Sequence, residues 1–379
     1  MTQLTVSEIL IDASRTAIEK QNKDTGELPA GHNGPYHDPE TPVRNTSHWL
    51  ITFLKCYEWT RNNEYLEAAK KAVEYLLSNR ARPNGATYYH RKAPGKDGCN
   101  GLVGQAWTIE ALAVAAGFFD ETELLAQAEE VFLLHPFYEP AGIWKRVEVD
   151  GSILSYDPTF NHQLWFAAAG ALLAQYDEVD QRVGHRVECF LDKVNVLLRT
   201  YDSGLIFHAL LPRFRPKLYA GTCLSDEQFN YVKTAVGASL PLSNIQTSLR
   251  KKAIGYHSFN MYAFAVLYKV FPEHPWWKSM QFDNCLKYMS SDIYCELLSD
   301  NPYGYPYNPP GFEVPYTEYV FHGTVSNRGE QYLQEQLSRS YDPKANTLSR
   351  RTEDPVTMTA RLYQATRLPE LTVSLSDTT

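Results

Sequence analysis

Residues 101–117 read Gly-Leu-Val-Gly-Gln-Ala-Trp-Thr-Ile-Glu-Ala-Leu-Ala-Val-Ala-Ala-Gly. Apolar side chains fall on every side of a helical wheel here, so a helix over this stretch has no face to offer water and must be buried. Residues 159–176 read the same way, rich in Ala and Gly. The stretches 63–79, 121–134 and 180–199 are different: their charges gather on one side, the pattern of a helix that lies at a surface. Buried and exposed helices in alternation describe a barrel of inner helices wrapped by outer ones.

The same three- and four-residue spacing of apolar side chains recurs over 3–20, 46–60, 254–271, 276–290, 326–340 and 354–366. When each outer helix is paired with the inner helix that follows it, the inner members begin near 46, 101, 159, 254, 315 and 354. Six hairpins result. The predicted architecture is therefore an all-α, (α/α)6 toroid, one domain over residues 1–368. The fifth inner helix is the shortest, because Asn308-Pro309-Pro310-Gly311 leaves little room before His322. Residues at about 200–250 break the rhythm with Gly and Pro and read as a loop inserted at the pocket mouth. Residues 369–379 read as a flexible tail.

Several inner helices open on a similar polar motif. It stands as Asn45-Thr46-Ser47-His48-Trp49, as Asn100-Gly101 followed by Gln105 and Trp107, and as Asn161-His162-Gln163-Leu164-Trp165. A looser version is Tyr256-His257-Ser258-Phe259-Asn260. In two copies Asn precedes Trp by one helical turn, which sets both on one face. Helix starts gathered at one end of a toroid would line a shared pocket with polar side chains and free N–H groups.

Composition narrows the function. The chain has 25 Tyr and 7 Trp, and half-apolar, half-hydrogen-bonding rings suit carbohydrate clefts. A formal charge of −8 argues against a nucleic-acid partner. The basic cluster Arg250-Lys251-Lys252 reads as a solvated helix start. Cysteines 56, 99, 189, 223, 285 and 295 show neither Cys-x-x-Cys spacing nor His neighbours at metal-ligand spacing, so no metal is expected. There is no Gly-rich phosphate loop, no Gly-x-Ser-x-Gly elbow and no Asp-rich metal motif, and no cofactor is expected. The N-terminus lacks a basic segment followed by an apolar run, and no apolar run approaches the ~20 residues of a membrane span. A cytoplasmic protein with an oligosaccharide or polysaccharide substrate, and no membrane or nucleic-acid partner, is the expectation.

The alternation, the aromatic loops and the helix-start motifs resemble the six-hairpin (α/α)6 glycosidase-like superfamily of hydrolases, lyases and epimerases. Tyr156-Asp157-Pro158 before Asn161, then Ser203-Gly204-Leu205-Ile206-Phe207, then Gly255-Tyr256-His257-Ser258, look like the helical domain of glucuronyl C5-epimerases in the same order. Phe207 stands where that family carries a tyrosine used in its chemistry, so the likeness implies the fold more than the reaction.

The densest set of reactive groups is the loop from His32 to His48, which holds His37, Asp38, Glu40, Arg44 and Asn45. Ordering such a loop is costly unless its groups pair with each other or with a ligand. One reading is a structural plug with an Asp38–Arg44 ion pair; the other is a substrate site. Asp157 is either the N-cap of a helix begun at Pro158 or a general acid or base at the barrel mouth. His162 and Asn161 follow it in the first turn. Tyr256 and His257 suit sugar contact or proton transfer, and Tyr303-Gly304-Tyr305-Pro306-Tyr307 offers an aromatic rim near Tyr316.

The candidate catalytic residues are therefore Asp38, Asp157, His162, Tyr256 and His257. The candidate binding residues are His37, Glu40, Arg44, Asn45, His48, Asn100, Gln105, Trp107, Tyr156, Asn161, Tyr305 and Tyr316. Three functions fit. A glycoside hydrolase would use a carboxylate from the 38–40 loop with Asp157. A uronate lyase or epimerase would neutralise the sugar carboxylate with Asn161, Arg44 or His162 and move the C5 proton with Tyr256. A glycan-binding toroid would keep the aromatics without paired titratable groups. The hydrolase leads because hydrolases are the commonest users of this fold.

Overall fold

The structure, a computed structural model, describes residues 2–210 and 244–375. Six helices form an inner ring: α2 (Val43–Thr60), α4 (Gly101–Phe119), α6 (Phe160–Leu173), α8 (Asn244–Val270), α11 (Pro310–His322) and α13 (Pro355–Ala360), the last continued as a 3-10 turn over Arg361–Arg367. Each packs on the next, and the 3-10 turn packs back on α2, which closes the ring. Outside lie α1 (Val6–Lys20), α3 (Asn63–Leu77), α5 (Thr122–Leu134), α7 (Gln181–Leu197), α9 (Met280–Met289) with α10 (Asp292–Ser299), and α12 (Asn327–Ser340). The chain is an (α/α)6 toroid.

The burial follows the patterns read from the sequence. Ile109, Ala111, Leu112 and Ala115 in α4 have no exposed surface, and Phe166, Ala167 and Ala171 in α6 have none either. By length and composition α4 could cross a membrane, which corrects the reading of the apolar runs, but here most of it is enclosed within the ring. Small residues let inner and outer helices approach closely. A Cβ on Gly170 would stand 2.4 Å from the Phe132 ring of α5 and 3.0 Å from Val187 of α7.

Four features depart from the sequence reading. The fifth inner helix starts at Pro310 rather than near 315, with Pro at its first position, where no N–H is needed. The fourth starts at Asn244, so Tyr256 and His257 lie well inside it and do not open it. The expected tail is ordered through Leu375: β5 (Thr372–Leu375) pairs antiparallel with β1 (Thr2–Thr5), and its short alternation buries Val373 and Leu375. Finally, a three-stranded antiparallel sheet of β2 (Phe137–Tyr138), β3 (Ile143–Val147) and β4 (Ile153–Tyr156) joins α5 to α6. Helical periodicity carries no signal for strands of two to five residues. Of the loop expected at about 200–250, residues 211–243 lie outside the described residues, as does Cys223.

Gly170→Ala tests the close approach. The gain in helix propensity of ~1 kcal/mol is outweighed by overpacking of ~1–3 kcal/mol against Phe132. A lowered urea midpoint with an unchanged slope is the expected outcome, and an unchanged or raised midpoint would contradict it.

Candidate functional site

A cavity of about 480 Å³ opens where the inner helix starts meet. Its organising element is the corner between β4 and α6. Asp157, 1% exposed, accepts hydrogen bonds from the Leu102 N–H at 3.0 Å, the Thr159 N–H at 3.1 Å and His162 Nδ1 at 2.8 Å. It therefore caps α4, braces the start of α6 and orients an imidazole at once. Burial pushes its carboxyl up, but His162, Arg146 and the Leu102 N–H outweigh burial and hold it at about 2. An ionised Asp157 can only accept, so His162 donates from Nδ1, and in the neutral imidazole the lone pair is then on Nε2. Gly101 sits beside the pair with φ +59°, and a Cβ there would lie 2.6 Å from Asp157 Oδ2 and 2.7 Å from His162 Nδ1. Only glycine suits both the backbone and the space.

A charged wall flanks this pair. Asp97 binds Arg91 at 2.8 Å, Arg146 at 2.7 Å and the Gly101 N–H at 2.9 Å. Although burial opposes it, the two guanidinium groups lower its carboxyl. Lys96 holds both oxygens of Asp38, at 2.7 and 2.8 Å. Opposite stands a tyrosine cluster. The Tyr36 and Tyr256 hydroxyls are 2.9 Å apart, the Tyr307 hydroxyl donates to Asn33 Oδ1 at 2.7 Å, and the Lys252 ammonium lies 4.8 Å from the Tyr36 ring centroid. Burial raises the Tyr36 and Tyr256 phenols well above their ordinary range, so they are hydroxyl donors and not bases. Next to Tyr256 lies His208, its ring centroid 4.7 Å away, which burial and then Lys252 push down to about 3. Among the described residues His208 Nδ1 and Asn161 Oδ1 are buried without a hydrogen-bond partner, and both residues line the cavity.

The floor is Trp107 with Arg361. The Arg44 guanidinium stacks on Trp107 at 4.0 Å, and Arg361 binds Asn308 at 2.9 Å and Glu313 at 3.1 Å. Burial pushes Glu313 up to about 7 against the pull of Arg361.

Of the residues singled out in the sequence, Asp38, Asn100, Trp107, Tyr156, Asp157, Asn161, His162 and Tyr256 line this cavity. The others do not. His257 turns to the outer layer, taking the Ile206 N–H at 3.2 Å and pairing with the Cys285 carbonyl at 3.0 Å. His37 is exposed beside Glu353. Glu40 and Arg44 form a buried ion pair at 2.9 Å, so the expected Asp38–Arg44 pair is replaced by Glu40–Arg44 and Lys96–Asp38. Asn45 donates to the Pro29 carbonyl. His48 is buried against Tyr363, and Gln105 ties the backbones of Tyr88 and Cys99 together. Tyr305 lines a separate groove with Arg339, and Tyr316 packs on Tyr262. Tyr307 of the expected aromatic rim lines it too, and Lys252, read as part of a solvated helix start, does as well; Asn33, Tyr36, Arg91, Lys96, Asp97, Arg146, His208, Asn308 and Arg361 line the cavity without having been named as candidates. Lys96 and Asp97 stand just ahead of the Asn100-Gly101 start, a position that could have marked them; Arg146 and His208 lie in segments without periodicity.

No known protein-family profile matches the chain. The chain is 46% identical over 370 residues to archaeal glycosylation protein Q of Haloferax volcanii, covering 98% of this chain and 99% of that protein. It belongs to the archaeal glycosylation protein Q family. Among solved structures, a sugar epimerase from a ruminal bacterium superposes with a TM-score of 0.64 at 13% identity, over 95% of this chain and 97% of the other. Cellobiose 2-epimerase of Bacillus thermoamylovorans B4167 gives 0.63 at 13%, over 95% and 98%. An inactive variant of an α-1,6-mannanase of Salegentibacter sp. HEL1_6, in which two adjacent aspartates are replaced, is bound to α-1,6-mannotetrose; it gives 0.55 at 10%, over 96% and 98%. These likenesses show the same fold, an (α/α)6 toroid.

The Asp157–His162 geometry makes a direct prediction. In Asp157→Asn the amide oxygen still accepts the Thr159 N–H, while the NH₂ in place of Oδ2 gives up the Leu102 N–H, at a cost of about 1 kcal/mol that the fold should survive, and favours the other imidazole tautomer. Nitrogen-15 spectra of the imidazoles should show His162 protonated on Nδ1 in the parent and on Nε2 in the variant. An unchanged tautomer would mean that Asp157 does not set it.

Proposed function

We propose that this protein is a sugar epimerase or isomerase in glycan metabolism. In this reading His162 is the general base that takes a proton from a carbon next to a carbonyl or carboxyl group. The single observation that carries it is the Asp157–His162 hydrogen bond of 2.8 Å at the cavity wall, which both residues line. A general base needs a lone pair at the reacting atom and a partner that stabilises the cation it becomes; an ionised Asp157 supplies the second. The enolate oxygen formed as the proton leaves needs donors, and the protonated Tyr36 and Tyr256 hydroxyls stand in the same cavity. His208 is a second neutral imidazole there, and its buried Nδ1, without a hydrogen-bond partner among the described residues, suits a hydrogen bond to the sugar. The name of the Haloferax relative and the epimerases among the fold neighbours are in keeping with this reading.

Hydrolysis is less well supported. A glycosidase needs one carboxylic acid kept protonated near neutral pH. In the cavity Asp157 is held at about 2, Asp97 is lowered, and Asp38 is clamped by Lys96. The carboxyl raised to about 7, Glu313, is spent on Arg361 and Ser258. Nor does this chain contain two adjacent aspartates, the residues replaced in the inactive mannanase. The cavity lining carries Arg91, Lys96, Arg146, Lys252 and Arg361 against Asp38, Asp97 and Asp157. That excess of positive charge favours a sugar bearing an anionic group, such as a uronate.

Incubation with neutral and acidic mono- and oligosaccharides in deuterium oxide separates the readings. Epimerisation or isomerisation should place solvent deuterium on the sugar without new reducing ends, and His162→Asn should lower turnover by ~10²–10⁴. New reducing ends without deuterium would mean hydrolysis, and an absorbing unsaturated product would mean elimination; either would overturn the proposal.

A further inference from the structure

On the outer surface, away from the groups that line the cavity, three side chains of different ligand type converge. His185 and Cys189 stand one helical turn apart on α7 and so share a face. Glu139 comes from the tight turn between β2 and β3. His185 Nε2 lies 3.6 Å from Cys189 Sγ and 3.6 Å from Glu139 Oε1, and all three ligand atoms lie within 4.8 Å of one another. No Cys-x-x-Cys spacing announces this set, because the third member comes from a strand turn far from the helix in sequence.

The spacing can be compared with what a metal requires. Zinc bonds of ~2.3 Å to sulfur, ~2.1 Å to an imidazole nitrogen and ~2.1 Å to a carboxylate oxygen, at tetrahedral angles, hold the ligand atoms roughly 3.4–3.6 Å apart. The two separations from His185 fall near that value and the third, between Cys189 and Glu139, is within 4.8 Å, so a modest side-chain adjustment brings all three onto one ion. A thiolate, an imidazole and a carboxylate together suit a borderline-soft divalent cation, with water left in a fourth position. The bland alternative is an exposed His185–Glu139 ion pair, worth little by itself and with no use for the thiol.

The framework that carries the three is also close-packed. A Cβ on Gly142, at the end of the same turn, would stand 2.9 Å from the Cys189 carbonyl oxygen. One turn along α7 toward its N-terminus from Cys189, Arg186 donates to the carbonyls of Leu133 and His135, both at 3.3 Å, where α5 passes into β2. The turn and the helix are thus held together independently of any ion.

We propose that Glu139, His185 and Cys189 form a binding site for a zinc-like divalent cation that clips the β2–β3 turn to α7. The clip fastens the sheet whose next strand carries Arg146 into the cavity wall, but it takes no part in the proton transfer proposed above and stands or falls apart from it. Binding replaces the thiol proton, so it strengthens as pH rises.

The test is a titration of the metal-free full chain with Co²⁺, followed by Zn²⁺ competition. A thiolate-to-cobalt charge-transfer band in the near ultraviolet is expected, displaced by Zn²⁺, together with a raised Tm in Zn²⁺. Cys189→Ser should abolish the band, and His185→Ala and Glu139→Gln should weaken binding. Cys295→Ser and Cys223→Ser should keep the band. Glu139, His185, Cys189 and Cys295 are at least partly exposed, so circular dichroism should show unchanged folding in those variants. A parent chain without the band, or a band that survives in Cys189→Ser, would overturn the proposal.

Discussion

The sixth hairpin closes the ring with little chain. Six residues of α-helix, Pro355–Ala360, are followed by a 3-10 turn, and the closure depends on buried ion pairs. Arg361 reaches Glu313 of the fifth inner helix, and Arg367 reaches Glu110 of the second at 2.6 Å. Arg44 of the first pairs with Glu40 just below the cavity floor. Each arginine would be very costly to bury alone, and removing one partner of such a pair costs ~3–5 kcal/mol. Glu110 is the one charge in the stretch 101–117, and its presence there is explained by Arg367. The barrel axis is thus polar and crossed by buried ion pairs, and the cavity floor inherits its charge.

From that floor the site is assembled by contacts that each serve two elements. Asp157 is bonded to the N-terminus of α4 and to an imidazole of α6, so the seam between two inner helices sets the orientation of His162. Asp97 likewise joins the start of α4 to Arg146 on β3 and Arg91 in the preceding loop. Groups fixed at several points lose little further freedom when a ligand binds, which is what a preorganised site requires. The same fixing makes these residues poor proton donors, because every favourable contact they accept stabilises the charged form.

The helices were legible because the toroid demands two kinds of periodicity, and those patterns survive in Ala- and Gly-rich inner helices beside amphipathic outer ones. The strands were not, being too short to show a period. The site was legible at the helix starts, where Asp157, Asn161, His162, Asn100 and Trp107 were all readable. It was misread in the loop from His32 to His48. There Asn33 and His37 adopt left-handed conformations on either side of a 3-10 turn, Gly34–Tyr36, and the chain reverses sharply. Tyr36 and Asp38 therefore reach the cavity, His37 faces solvent, and Glu40, Arg44 and His48 pass beneath the floor. Spacing along a loop does not reveal such reversals. His257 failed for a simpler reason: in a helix it points a third of a turn away from Tyr256, toward the outer layer.

The corner before α6 puts a carboxylate, Asp157, at the barrel mouth, and the structure gives that carboxylate its own logic. An Asp157 held at about 2 stays anionic across the physiological range, so the proton that can move in this pair belongs to His162. A carboxylate meant to deliver a proton is instead kept in apolar surroundings, without cations or N–H donors to stabilise its anion. Asp157 has two N–H donors, an imidazole and a nearby guanidinium. The two designs exclude each other at one residue, and the contacts around Asp157 belong to the first.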